Sequence, residues 1–318
     1  MSRPTPPPFD PELAAALIEL VGPTSPSITP EMIPLAREGR AETVESATAA
    51  RDVVFEHHVI PGPAGDIELT SFRRADHTPG GGAVYYMHGG GMIMGTRFGG
   101  GLDFALEWVE KLDVVAVTVE YRLAPEHPDP APLEDCYAGL QWAASNAREL
   151  EFDPAKLVVA GASAGGGLAA GVALMTRDLG GAALAGQVLI YPMLDDRNTT
   201  VSSHQINGIG VWDRNSNDTG WDAYLGERRH RDDVSIYAVP ARATDLTNLP
   251  PAYIDCGSAE VFRDEDVAYA TRIWHQGGVA ELHVWPGGFH GFDGFAPTAV
   301  ISQASRATRT AWLRRLLA

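Results

Sequence analysis

The stretch from Leu157 to Gly167, LVVAGASAGGG, puts a short apolar run directly before glycines crowded around a single serine, and no charge follows until Arg177. An uncharged run from Leu157 to Thr176 is long enough to cross a bilayer on length alone. Its composition argues otherwise. Leu157-Val158-Val159-Ala160 has the pattern of a short buried strand, and the glycines after it would weaken a membrane helix badly. The segment reads as strand, sharp turn and buried helix. Other glycine-loop chemistries fail on detail. A P-loop needs Gly-Lys-Ser/Thr, but Gly166 is followed by Gly167 and Leu168. A dinucleotide fingerprint forced onto Gly165, Gly167 and Ala170 starts several residues past the strand and lacks an acidic residue about twenty positions on.

Seven further apolar runs have strand character: 53–60, 66–72, 83–87, 114–119, 187–191, 252–256 and 281–285. The first two flank the turn signal PGPAG and predict an antiparallel hairpin. Helical spacing recurs between the later runs, at Leu102, Ala105, Leu106 and Val109 and over 132–147, 164–177, 262–276 and 300–317. Strands alternating with helices predict an α/β fold with a mostly parallel eight-stranded sheet covered on both faces. About sixty residues between 191 and 252 exceed what one crossover helix needs. They contain Trp212, Trp221, Tyr224 and Leu225, so an inserted helical flap is expected there. The expected organisation is cap helices over 1–50, with Pro11–Leu20 and Pro30–Ala50 helical on either side of a Pro/Ser/Thr loop, a main α/β domain over 51–195 and 236–318, and an inserted cap segment over 196–235.

With 41 acidic against 24 basic side chains, a formal net charge of −17 disfavours binding to a phosphate backbone. Cys136 and Cys256 form no pair framework and no CxxC, as expected of reduced, buried thiols in a cytoplasmic protein. The start of the chain, prolines followed by Asp10, Glu12 and Glu19 within an apolar stretch, is unlike a signal peptide. An edge strand of such a sheet can pair two copies into a homodimer, though no residue specifies it.

Gly161-Ala162-Ser163-Ala164-Gly165 fits G-x-S-x-G between a strand and a helix, the context in which that pattern lifts a serine hydroxyl clear of a sheet. A serine needs a base to take its proton and a third group to orient the base. Of ten histidines, His57 and His58 face opposite sides of one strand, His283 lies within a strand and His275 near a helix end. His290 sits in the glycine-rich PGGFHGFDG just after the last strand, where a loop can carry it into a site. The acid is then expected after strand 252–256, in CGSAEVFRDED, which offers Glu260, Asp264 and Asp266. Glu260 is nearest the strand end; Asp264 and Asp266 fall in the next helix, where an acidic first turn is ordinary. After strand 83–87, His88-Gly89-Gly90-Gly91 bares backbone N–H groups that can face an oxyanion, with His88 bracing the loop.

These segments together resemble the hormone-sensitive-lipase-like carboxylesterases of the α/β-hydrolase fold. HGGG (88–91), YRLAPEHPDPAPLEDCYAGLQW (121–142), GASAGG (161–166), SAEVFRDE (258–265) and HGF (290–292) carry the resemblance, in the family's order, over residues 83–292. The resemblance implies Ser163 as nucleophile, His290 as base, and Gly89, Gly90 and Ala164 as oxyanion donors. It implies hydrolysis of short- to medium-chain esters through an acyl-enzyme, with no metal or organic cofactor, under a helical cap. The chain departs from the family in having Ala162 where Asp is usual and Glu260 where the acid loop usually has Asp. A glutamate can orient the imidazole through the same carboxylate, and Asp264 is the alternative. A scaffold retained only as a small-molecule receptor should lack one of these groups, yet each position holds a competent residue. A zinc hydrolase would show HExxH or a Cys/His cluster, and neither is present.

Overall fold

All eight apolar runs become strands of one sheet in the computed structural model, which describes residues 4–21, 27–38 and 42–318. They are β1 (Val53–Gly62), β2 (Gly65–Arg74), β3 (Gly81–Met87), β4 (Val115–Glu120), β5 (Phe152–Ala162), β6 (Gly186–Ile190), β7 (Ala252–Gly257) and β8 (Ala280–Trp285). The order across the sheet is β1-β2-β4-β3-β5-β6-β7-β8. The β1–β2 hairpin and the β2–β4 pairing are antiparallel, and every other pairing is parallel. The uncharged run resolves into β5 and a helix, and no helix among the described residues is long and apolar enough to cross a membrane.

The helices are α1 (Pro11–Val21), α2 (Ile33–Glu38), α3 (Val44–Thr48), α4 (Leu102–Leu112), α5 (Ala131–Ser145), α6 (Ala164–Leu179), α7 (Val201–Gln205), α8 (Arg214–Leu225), α9 (Arg263–His275), α10 (Phe292–Phe295) and α11 (Val300–Leu317). The expected helix over 30–50 is broken into a 3₁₀ turn, α2 and α3, the last begun by a capping box between Thr43 and Ser46. Residues 1–3 of the proline-rich start, 22–26 of the Pro/Ser/Thr loop and 39–41 lie outside the described residues.

Period-2 alternation divides the parallel strands between two cores. Tyr85 and Val159 pack with Leu133 and Leu140 of α5, Leu168 of α6 and Ile273 of α9. Tyr86 and Val158 face the other way, onto Phe104 and Trp108 of α4 and Leu313 of α11. Each such side chain, removed fully from water, contributes roughly 1.5–3 kcal/mol.

β5 and α6 meet too closely for side chains. A Cβ on Gly161 would lie 2.2 Å from the Gly165 carbonyl oxygen, and one on Gly165 would lie 2.1 Å from the Met87 oxygen and 2.6 Å from the His88 oxygen. Backbone from β5, α6 and the end of β3 therefore converges on one point. There the fully buried His88 ring stacks on Tyr121 at 4.0 Å, its Nδ1 lies 2.8 Å from the Gly89 carbonyl, and the Tyr121 hydroxyl donates to the His88 carbonyl at 2.8 Å. His88 braces its loop, as expected. Burial holds its imidazole down at a pKa of about 4, opposed by the Gly89 contact.

Two outcomes follow from this junction. Gly165→Ala should cost about 1–3 kcal/mol through overpacking, read as a lower thermal midpoint; an unchanged midpoint would mean the junction yields. His88 should make stability fall with pH. Below pH 6.5 the unfolded imidazole binds a proton that the folded one refuses until about pH 4. The loss accumulates to about 3 kcal/mol across that window, at 1.36 kcal/mol per unit. Urea midpoints between pH 7 and 4 should fall less steeply in His88→Asn than in wild type.

Candidate active site

Ser163 stands at the tip of the turn from β5 into α6 with φ 58° and ψ −122°. A serine at positive φ in this region is strained by about 1–3 kcal/mol and persists only where its surroundings enforce it. The enforcement is visible: its N–H donates to the Ile190 carbonyl at 2.8 Å, and its own carbonyl accepts from Gly167 and Met193, each at 3.0 Å. Ser163 occupies the N-cap position of α6, yet its side chain makes no capping bond. Its Oγ lies instead 2.9 Å from Nε2 of His290.

His290 arrives on the loop after β8, and Gly291, with φ 78° at the start of α10, turns the chain away behind it. Its ring is held edge-on between Phe262 at 5.0 Å and Tyr191 at 4.9 Å. Nδ1 lies 2.7 Å from Oε2 of Glu260. A carboxylate can only accept, so Nδ1 carries the proton and Nε2 is left to accept from the serine hydroxyl. Oε1 of Glu260 accepts from the Gly257 N–H at 2.5 Å. Burial pushes the Glu260 carboxyl above its ordinary value, opposed by the contact with His290 and by Gly257.

The structure thus brings Ser163, His290 and Glu260 together and leaves the other candidates elsewhere. Asp264, the alternative acid, accepts from the Ser202 N–H at 2.7 Å and pairs with Arg263. Asp266 lies in the first turn of α9 as expected, but not as a solvated charge. It is fully buried with no hydrogen-bond partner on either oxygen, and burial, then Glu260 and Glu265, push its carboxyl well above the usual range. His57 and His58 bond to Thr70 and Ser71, and His283 to Glu281. Among the described residues, one group, Cys256, Glu260 and Asp266, has metal-ligand spacing, within 4.8 Å. Both oxygens of Glu260 are already engaged, and burial pushes the Cys256 thiol and the Asp266 carboxyl up, against the deprotonated forms that a metal needs, so this donor set suits a metal poorly.

One expected oxyanion donor is corrected. The N–H of Gly89 donates to the Gly100 carbonyl at 3.0 Å, tying the glycine loop to the entry of α4, so it is not free for a ligand. The N–H groups of Gly90, Gly91 and Ala164 have no protein acceptor among the described residues. The glycine loop and Ser163 line a cavity of about 690 Å³ that also reaches His290, Phe98, Phe104, Phe295 and Trp212. Sequence reasoning marked Trp212 only as one flap aromatic. Its ring sits over Gly91, where a Cβ would come within 2.2 Å. Tyr191 and Phe262, which fix the histidine ring, were not marked at all; an aromatic residue ending an apolar strand was the available signal for Tyr191.

Residues 84–294 match the α/β-hydrolase-fold family. The chain is 34% identical to the esterase LipI of Mycobacterium tuberculosis over 236 residues, covering 71% of this chain and 69% of that protein. It is 36% identical to the carboxylesterase NlhH of the same species over 235 residues, covering 71% and 70%. A solved bacterial heroin esterase superposes with a TM-score of 0.90 at 37% identity, over 98% of each chain. The chain belongs to the hormone-sensitive-lipase-like esterases of the α/β-hydrolase fold and is a carboxylic ester hydrolase.

Proposed function

We propose that the protein hydrolyses short- to medium-chain carboxylic esters through an acyl-enzyme on Ser163, with His290 as general base and Glu260 as the orienting acid. The observation that carries this reading is the unbroken chain from Ser163 Oγ to His290 Nε2 at 2.9 Å and from His290 Nδ1 to Glu260 Oε2 at 2.7 Å. Ser163 attacks the ester carbonyl while Nε2 takes its proton, and the Glu260 carboxylate stabilises the imidazolium. Nε2 then protonates the leaving alcohol and takes a proton from the water that releases the acid. The oxyanion is held by N–H groups of Gly90, Gly91 and Ala164, each worth about 3 kcal/mol in such sites.

The N-terminal segment and residues 196–235 act as one cap on this reading. Ser27 Oγ donates to Asp213 at 2.7 Å, the Ile28 N–H donates to Ser216 at 2.8 Å, and Thr219 Oγ donates to the Ile28 carbonyl at 2.8 Å. Ile28, Ala47 and Trp212 line the same cavity from the two segments. Its volume lies within the usual range for small-molecule sites, and its aromatic walls suit an ester with an aryl group on either side.

Hydrolysis of p-nitrophenyl butyrate separates the roles. Ser163→Ala should abolish it, leaving only the residual rate that oxyanion binding alone supports. Glu260→Gln should lower kcat by roughly 10²–10⁴-fold, because an amide cannot stabilise the imidazolium. Asp264→Asn should stay within about twofold of wild type, since its carboxylate serves the Ser202 N–H and not the imidazole. Equal losses in the last two variants would reassign the acid, and full activity in Ser163→Ala would sink the reading.

A further inference from the structure

A buried guanidinium lies behind the acid and the base, away from the substrate cavity. Arg309, on α11, is 1% exposed. Its Nη2 donates to Oδ2 of Asp255 at 2.8 Å and to Oδ2 of Asp293 at 2.9 Å, while its Cζ lies over the Phe104 ring, 5.0 Å from the centroid. Asp255 is near the end of β7, two residues before Gly257, whose N–H holds Glu260. Asp293 is on α10, three residues after His290. Oδ1 of Asp293 accepts from the Tyr191 hydroxyl at 3.2 Å, and the Tyr191 N–H donates to the Asp255 carbonyl at 2.6 Å. The ring of that same Tyr191 packs edge-on against His290. A single nitrogen therefore joins the strand end behind the acid, the helix behind the base, and the aromatic wall of the base.

We propose that Arg309 is a positioning residue for the reaction: bridging Asp255 and Asp293, it fixes the separation of the loops that carry Glu260 and His290. This rests on the proposed roles of those two residues. Two aspartates at this depth, without a shared cation, would repel each other or take up protons, and either change releases the bridge. The 2.7 Å contact between Nδ1 and Oε2 spans the same two loops, so it inherits that release. Nε and Nη1 of Arg309 make no hydrogen bond, so the bridge needs a cation at one point and not the guanidinium fork. Lysine should therefore rescue it and methionine should not.

The test reads the far-downfield proton resonance of the His290–Glu260 hydrogen bond together with kcat and KM for p-nitrophenyl butyrate. Arg309→Met should broaden or shift that resonance and lower kcat on the order of tenfold or more with KM little changed, since small misplacements of reacting groups act on the chemical step. Arg309→Lys should restore most of both. Leu313→Ala, which loosens α11 from the sheet without touching these hydrogen bonds, should leave the resonance and kcat in place at temperatures where it is folded. If Arg309→Met fails to fold, Asp293→Asn decides: it keeps an acceptor for the Tyr191 hydroxyl but removes one of the two charges that the guanidinium joins, and the resonance should still shift as kcat falls. An unchanged resonance and kcat in Arg309→Met, or in Asp293→Asn where that variant decides, overturns the inference, as does an equal loss in Leu313→Ala. Survival of the resonance in Glu260→Gln would instead overturn the underlying assignment of the acid.

Discussion

The closeness of β5 to α6 is the constraint on which the rest depends. With no Cβ at Gly161 or Gly165, the two backbones meet, and the end of β3 closes in from the other side. Ser163 has no room for an ordinary turn between them, so it is held at positive φ with its hydroxyl outward. The same convergence places the glycine loop after β3 beside the serine. Ser163 and the candidate oxyanion donors are thus positioned by one packing event, not by two independently folded loops.

The second organising feature is electrostatic. Asp255, Glu260, Glu265 and Asp266 are all buried near the end of β7 and the start of α9. Four ionised carboxylates there would be untenable, and each is handled differently. Glu260 faces His290. Asp255 faces Arg309. Glu265 accepts the N–H groups of Leu194 and Asp195 at 2.8 and 3.1 Å, with its carboxyl raised by burial and by Asp195. Asp266 has no such partner, and burial pushes its carboxyl well above the usual range. Asp255 and Glu260 are the two of the four that face a cation or an imidazole.

How much of this the sequence disclosed follows the range of each interaction. The elbow spans five residues, so G-x-S-x-G between an apolar run and a helix pattern was enough to place it. The sheet was legible because buried parallel strands are apolar throughout. Glu260 and Asp264 could be ranked only by distance from the strand end, because what separates them is which one reaches an imidazole thirty positions away. Gly89 was misjudged for a different reason: a glycine's type says that its N–H is accessible, not which carbonyl it meets. Asp266 looked like a first-turn charge because helix position is written in the sequence and burial is not. The one trace of the Arg309 bridge was a lone acid in the apolar strand AYIDC.

α6 begins without a side-chain cap, although its first residue is preceded by serine, one of the commonest capping residues. The hydroxyl that would close the helix is turned toward His290 instead. A helix left open in this way keeps unsatisfied donors and the positive end of its dipole directed at the space in front of the serine. As the carbonyl carbon becomes tetrahedral, its oxygen would supply the missing acceptor. On the reading proposed above, the transition state completes a secondary-structure element that the resting protein leaves unfinished, and the stability forgone at rest returns as the substrate reacts.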